Sequence, residues 1–580
     1  MNFIKNSLII IILLCNSMNC ISQISHGGSP LTISHNNAML DLISETPTIY
    51  IPSVSNAFEK NIIKNNPSLN DKNIYGKRIK YNIDILTTSK LILYDDSLKI
   101  FTLKVASDSA YGMRFFFSDF QIPEGGKLFL YNESKTHIIG GFTHQNNREN
   151  NKFGTRPISG SKIFIEYSES INANYSANLI IEKVVHIFDD GFFDPDNLAG
   201  ECNKSVACLE DENFFEWENE AKSVVMILAS YENLYDYWGS GVLLNIAGGY
   251  SSIDRPYLLT AAHLTHGFDP YSEVEDWVFL FGFEDTECGL TNSNTQYFTQ
   301  NNSVYGAELI TYDDYFGSPN SIKSDFLLCK LMDDFNTINS NIDVSYAGWD
   351  RSSEQLSPAL CIHHPSSSSK MFSYTETITT ANFLWNEPCY SFVSGWDFWG
   401  VYWSVGVTEG GSSGSPIFNM SHKVFGHLYG GFSDCEFGVH TDCNVPIGPD
   451  KQDAFGKFST SWSDGDFEYY LDPYSMNLSS VETFTLNYCG NGICEPENGE
   501  VFPDCADCPD PNGGGGSNCS SPVGDGFLIN GHSDEVVLIC SDYNEITLTS
   551  PDENCPLNIG RCIRETNLSV CSQPAPIHCR

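Results

Sequence analysis

The residues best placed to do chemistry lie in the run Glu409-Gly410-Gly411-Ser412-Ser413-Gly414-Ser415-Pro416. A Gly-x-Ser-Gly-x-Pro turn exposes one hydroxyl while its backbone N–H groups converge on a point that suits an oxyanion. On its own such a loop usually only turns the chain, and two upstream segments give this one company. Leu259-Thr260-Ala261-Ala262-His263 reads as an apolar strand delivering an imidazole. Ser324-Asp325-Phe326-Leu327-Leu328 reads as a strand start carrying a carboxylate. In combination, Ser413 would attack a carbonyl and His263 would take and return the proton. Asp325 would fix the imidazole tautomer, and the N–H groups of Gly411 and Ser413 would bind the developing oxyanion. A lone histidine or aspartate in these settings is ordinarily structural, so the conjunction carries the reading. His266 and the pair His363-His364 lack such company and read as structural or solvated. No HExxH or close His/carboxylate spacing occurs, so no cofactor or metal is expected for the chemistry.

These elements need a scaffold, and 580 residues exceed one hydrophobic core. Lys5 followed by the apolar run Leu8 to Leu14 predicts a signal peptide over 1–22. Residues 23–195 carry short strand patterns such as Lys99 to Val105 and Lys162 to Tyr167 and predict a β-sandwich, read as a propeptide. Residues 196–487 hold the three chemical residues; a small cysteine-rich module over 488–510, a Gly-rich linker over 511–518 and a disulfide-rich domain over 519–580 follow. No later apolar run is long enough to span a bilayer. The 73 acidic against 31 basic side chains, a formal charge of −42, exclude nucleic-acid backbones as partners and favour a solubilising surface or cationic substrates. Twenty cysteines point to an oxidising compartment, and a secreted, extracellular monomer is expected.

The order His263, Asp325, Ser413 is the chymotrypsin type, which implies a mainly β fold of two antiparallel barrels. Residues 199–476 resemble bacterial lysyl endopeptidases of that superfamily. The resemblance rests on Gly200-Glu201-Cys202-Asn203 with Cys208, Ala347-Gly348-Trp349-Asp350-Arg351, Ile362-His363-His364-Pro365, Gly406-Val407-Thr408-Glu409, Ser415-Pro416-Ile417, Thr460-Ser461-Trp462 and Leu471-Asp472-Pro473. It implies a secreted serine endopeptidase, released from its own propeptide, that cuts protein substrates after lysine. The lysine pocket implied by the resemblance is built on Asp453, in Asp453-Ala454-Phe455-Gly456-Lys457, with Asp450 a competing choice, Trp385 beside it, and Tyr429 where the family has a histidine. Bridges Cys202–Cys435 and Cys208–Cys288 are implied as well. A third family bridge is missing at both ends, where Trp238 and Leu264 stand, and apolar packing is expected to replace it. Cys361 with Cys389 is an alternative pair, and Cys329 and Cys443 have no assignment.

Ser412 occupies the place where animal trypsins carry an aspartate that pairs with a new N-terminus, so activation by N-terminal insertion is not expected. No Lys or Arg lies between Lys183 and Cys202, so propeptide release uses either Lys183 or another protease. The 489–508 segment resembles small Notch-like repeats; Glu495, Glu497, Asp504 and Asp507 could hold structural calcium, against the plainer reading of a disulfide spacer. The competing functions are a trypsin-like protease of broader basic specificity and a catalytically silent homologue that binds protein or carbohydrate.

Overall fold

The computed structural model describes residues 27–34, residues 45–485 apart from internal gaps of which 290–302 is the longest, and two strands further on. Residues up to Thr485 form one compact unit and those from Leu486 a second. In the second, Glu535–Ile539 pairs antiparallel with Glu545–Thr549. The expected signal peptide, the 488–510 module with its calcium candidates and the linker lie outside the described residues.

The N-terminal part is a sandwich of two sheets. One runs in the order Thr48–Tyr50, Leu98–Ala106, Lys162–Ser170, Lys127–Asn132, Ile138–Phe142, with Lys90–Leu93 also on Leu98–Ala106. The other contains β1 (Ile74–Asp84), β2 (Gly112–Gln121) and β3 (Asn178–Ile187), with β3 in the middle. The run Phe115-Phe116-Phe117 shows why this second sheet is buried on both faces. Side chains alternate along a strand, so Phe115 and Phe117 enter the sandwich core while Phe116 enters a separate core. That separate core also holds Met226, Leu228 and Trp238 from the chain beyond the sandwich.

That following chain forms two closed sheets. In the first, β4 (Val224–Tyr231) and β5 (Tyr235–Leu244) make a hairpin, β6 (Tyr257–Ala261) pairs with β5, and β7 (Phe326–Leu331) pairs with β6. Ser303–Tyr305 joins the far side through Val278–Leu280, and Ala307–Tyr312 joins β7. These two short strands are one run bent at Gly306 (φ +75°), so the sheet meets itself and closes into a barrel. The second sheet has the order Met371–Thr375, β8 (Ala359–His363), β10, β11, β12, β9, Thr377–Asn386, where β9 is Cys389–Tyr402, β10 Pro416–Asn419, β11 Lys423–Gly431 and β12 Gln452–Lys457. Its first and last members flank Glu376 in sequence, so it closes the same way. The barrels share one core, in which Val242, Leu259 and Phe326 of the first meet Leu360, Phe418 and Val424 of the second. The architecture is the double antiparallel barrel.

The sandwich is hydrogen-bonded to the first barrel. β1 pairs antiparallel with β5, Ile74 opposite Tyr237, Gly76 opposite Asp236 and Lys77 opposite Tyr235, so one twelve-stranded sheet crosses both. Behind the seam, three cations of the sandwich meet two carboxylates of the barrel. Arg78 Nε and Arg114 Nη1 both bond Asp236, Arg78 Nη1 lies 3.1 Å from Asp276, and Lys183 Nζ lies 2.7 Å from Asp276. Burial opposes ionisation of Asp276, but Arg78 and Lys183 outweigh it and hold the carboxyl below its ordinary value. Lys183 is therefore buried in a strand paired on both sides, and it is not open to cleavage in the folded sandwich.

Two disulfides tie the double barrel to its leading segment. Cys202–Cys435 closes a loop of 233 residues and Cys208–Cys288 one of 80, and the chain-entropy view rates the latter at about 4.5 kcal/mol. Cys361 does not pair with Cys389: it is a free, buried thiol on β8 with its sulfur 3.4 Å from Ser415 Oγ, as Cys329 is on β7. At the places of the missing bridge, Trp238 and Leu264 are both buried in apolar surroundings. Trp238 stacks on Tyr75 of β1 at 5.0 Å between ring centres, while Leu264 joins the first-barrel core.

A side chain at residue 306 would be strained by the positive φ, and its Cβ would stand 2.8 Å from the Glu275 carbonyl oxygen. Gly306→Ala is expected to cost about 1–3 kcal/mol, read as a lower urea midpoint of the full chain. An unchanged midpoint would show that barrel closure does not depend on this bend.

Candidate active site

β6 ends at Ala261, and the 3₁₀ turn Ala262–Leu264 that follows carries His263 out of the barrel. Its Nδ1 lies 2.6 Å from Asp325 Oδ2, and its backbone N–H donates to Asp325 Oδ1 at 2.9 Å. Asp325 enters β7 with φ +58°, a left-handed conformation that Asp tolerates better than most residues. One carboxylate oxygen of Asp313 holds that turn by accepting the N–H groups of Lys323, Ser324 and Asp325 at 2.8–2.9 Å. Asp325 has no exposed surface, and burial raises its pKa above the ordinary value while His263 pulls it back. From the second barrel, Gly456 of β12 lies against this turn: a Cβ there would fall 1.9 Å from the Ser324 carbonyl oxygen.

The serine loop precedes β10 and is pinned to the first barrel. Ser240 of β5 donates its N–H to the Ser413 carbonyl at 2.8 Å and its hydroxyl to the Gly411 carbonyl at 3.0 Å. Gly414 abuts β6, where an added Cβ would sit 2.7 Å from Ala261 N, two residues before His263. The N–H groups of Ser412 and Ser415 bond within the loop, and that of Gly414 donates to the Leu428 carbonyl of β11. Among the described residues the N–H groups of Gly411 and Ser413 have no acceptor within the chain, the state an oxyanion site requires. Ser413 is half-buried between buried neighbours. Ser412 is held from below by His363, whose Nδ1 is 2.8 Å from Ser412 Oγ and whose Nε2 is 3.0 Å from Ser373 Oγ. His363 and His364 are thus both buried, not solvated, and burial pushes the His363 pKa down to about 3, so it stays neutral.

Asp453 lies on β12, buried, with four donors around its carboxylate. Trp403 Nε1 donates at 2.6 Å, Thr408 Oγ1 at 2.7 Å, Ser433 N–H at 3.0 Å, and Ser433 Oγ closes the set. All four are neutral, and no cation pairs with Asp453 among the described residues. Burial raises its pKa, against the pull of Ser433, Trp403 and Thr408. Asp450 is instead exposed and paired with Lys451 at 3.0 Å. Tyr429 is buried on β11, its ring edge-on to His263 at 5.8 Å and tilted on Phe398 at 5.5 Å. Trp385 lies on Thr377–Asn386 opposite Tyr390, and its side chain is outside the described residues.

Residues 197–444 match the family model of the lysyl endopeptidase C-terminal domain. The protein is a serine endopeptidase. Solved structures similar to it include a Glu endopeptidase (11% identity over 46% of this chain and 96% of that one, TM-score 0.27). A thermostable serine protease AL20 from an extremophilic microorganism gives 13% identity over 43% and 97%, TM-score 0.27. The Ser343Ala mutant of Rv3671c from M. tuberculosis H37Rv, in its inactive form, gives 9% over 45% and 92%, TM-score 0.25.

Sequence reasoning missed several residues of this endopeptidase. Trp403 and Ser433 carry no motif, and Thr408 stood inside the matched run Gly406 to Glu409 without a role. Asp313 lies outside every quoted motif, and only its acidic type near Asp325 hinted at it. Glu409, read simply as the head of the serine loop, accepts from Gly200 N–H, Asn203 Nδ2 and Ser366 Oγ at 2.8–2.9 Å, tying the segment before Cys202 to that loop.

Asp313→Ala should release the Asp325 turn and lower kcat by about 10–100-fold with KM little changed, measured with a small lysyl ester. Asp313→Asn keeps one acceptor oxygen and should restore most of the rate. Equal loss in both variants would argue for a charge effect rather than positioning.

Proposed function

We propose that the endopeptidase cuts polypeptides on the carboxyl side of lysine, through Ser413, His263 and Asp325 and an acyl-enzyme. The observation that carries the lysine reading is Asp453: a buried carboxylate satisfied in hydrogen bonds by four neutral donors yet lacking a counter-charge. A lysyl ammonium supplies that charge at the end of an apolar stem, and a neutral side chain leaves the carboxylate uncompensated. Tyr429, edge-on to the imidazole, contributes an aromatic wall.

In the reaction, Ser413 Oγ bonds to the carbonyl carbon of lysine as its proton passes to His263 Nε2. Asp325 holds the opposite nitrogen, Nδ1, and stabilises the imidazolium. The carbonyl oxygen takes the charge and meets the free N–H groups of Gly411 and Ser413. Collapse breaks the C–N bond, the amine leaves with the proton from His263, and water repeats the sequence on the ester. Two disulfides and the many further cysteines fit a secreted monomer. In this reading residues 23–195 are a propeptide whose final removal uses a cut beyond buried Lys183, by another protease.

Digestion of a peptide mixture should yield products ending in lysine, and Ser413→Ala should lower turnover by about 10⁴–10⁶-fold. Substantial cutting after arginine would refute strict lysine preference in favour of the broader basic reading. Absence of fluorophosphonate labelling at Ser413 in the active form would refute the mechanism.

The raised Asp453 pKa has a pH signature. The pocket is charged above that value and neutral below it, so KM for lysyl substrates should rise as pH falls through a value higher than that of an ordinary Asp. Asp453→Asn should show a KM independent of pH in that limb, with kcat/KM lower by about 10²–10³. An identical pH limb in the variant would place the titration elsewhere.

A further inference from the structure

β5 serves two neighbours at once. Around Trp238 and Ser240 it touches the serine loop, where a Cβ on Gly411 would fall 2.7 Å from the Trp238 ring and Ser240 bonds the carbonyls of Gly411 and Ser413. One to three residues earlier, at Tyr235 to Tyr237, its edge pairs with β1 of the sandwich. The chain enters β1 from Asn73, which lies beside Gly410: a Cβ there would be 2.7 Å from Asn73 Nδ2, a buried amide nitrogen with no acceptor among the described residues. β1 therefore starts at the serine loop and runs away from it along the β5 edge in an extended conformation.

A substrate must do the same. With its lysine in the Asp453 pocket, which is built on the second barrel, the segment beyond the cut has to pass Gly410 and Gly411 and continue along the first barrel. Proteases and other domains commonly hold such segments by adding them as a strand to an exposed edge. Here that edge carries Asp236 directly, with Asp276 behind it, and the residues that reach these two carboxylates from β1 and its neighbours are Arg78, Arg114 and Lys183. Both acids belong to the double barrel, where Tyr305 also donates to Asp276 at 3.1 Å; their cationic partners all belong to the sandwich.

We propose that the β5 edge from Tyr235 to Trp238, with Asp236 and Asp276, is the subsite for the leaving-group half of the substrate, that it takes extended cationic segments, and that β1 fills it in the intact chain. The inference rests on Ser413 and Asp453 acting as described above. It makes the sandwich a block on one side of the cleft only: a substrate with nothing beyond the cut escapes it, and a long polypeptide does not. It also makes basic residues a few places beyond the cut a determinant of cleavage once β1 is displaced.

The test compares the intact chain with its Arg78→Ser/Arg114→Ser variant, on a lysyl ester with a small alcohol leaving group and on a peptide with six residues after its lysine. Both chains should hydrolyse the ester at rates within about threefold, while the variant should cleave the long peptide about tenfold or more faster. If the wild type cleaves the long peptide as fast as the variant, the subsite is not blocked and the proposal fails. If neither chain turns over the ester or is labelled at Ser413, the underlying nucleophile reading fails instead. Should only the double variant lose the ester, Gly76→Val replaces it under the same criteria, because its side chain meets Val185 Cγ1 at 2.6 Å and loosens β1 without removing charge. In the loosened chain, peptides with Arg two to four places beyond the cut should exceed their Glu counterparts by about fivefold or more, and Asp236→Asn should bring that ratio toward one. An unchanged ratio would overturn the cationic preference.

Discussion

Asp325 is a carboxylate without exposed surface, and its surroundings act to keep it charged beside His263. Burial alone would favour the protonated acid, which could not orient an imidazole. The backbone N–H of His263 and the imidazole oppose that effect, and Asp313 clamps the turn, at φ +58°, that presents the carboxylate to them. That turn is also where the barrels touch, since Gly456 leaves no room for a side chain against the Ser324 carbonyl. The same strand, β12, carries Asp453 three residues earlier. One strand of the second barrel thus carries the Asp453 carboxylate and buttresses the turn that holds Asp325, so the proposed pocket and the proposed triad would share a rigid support.

The chain handles buried acids in three ways. Asp325 is bonded to the ring nitrogen and the backbone N–H of His263. Asp453 has neutral donors only, which fix its geometry and bring no counter-charge. Asp236 and Asp276 have full cations, supplied by the sandwich, and with Phe116 beneath Arg78 and Arg114 they seal a joint between parts of the chain. Desolvation is costly in all three cases, and the three differ in the kind of compensation they receive.

Much of the site was legible in the sequence because the chemistry needs particular residue types in local settings. The serine loop announces itself through glycines flanking a hydroxyl, and His263 and Asp325 through the apolar strands that carry them. The misses have a common cause. Trp403, Thr408 and Ser433 lie 50, 45 and 20 residues from Asp453, and Asp313 differs from the many other acids only by where the chain folds back. Cys361 was open to pairing by sequence, but β8 turns its thiol into the core next to Ser415. Trp238 was expected to pack in the place of a lost bridge, and the partner it stacks on, Tyr75, comes from distant β1.

By itself the sequence determined the candidate reactive groups, the strand character of the segments that present them, and the acidic balance that the chain must accommodate. These follow from side-chain identity and short-range periodicity, which need no knowledge of distant contacts. Only the tertiary structure decided which acids are desolvated and what compensates each one. It alone showed that a strand far upstream lies along the edge next to the serine loop. Desolvation and counter-charge depend on what surrounds a group in space, and here those surroundings are assembled from segments up to 198 residues apart.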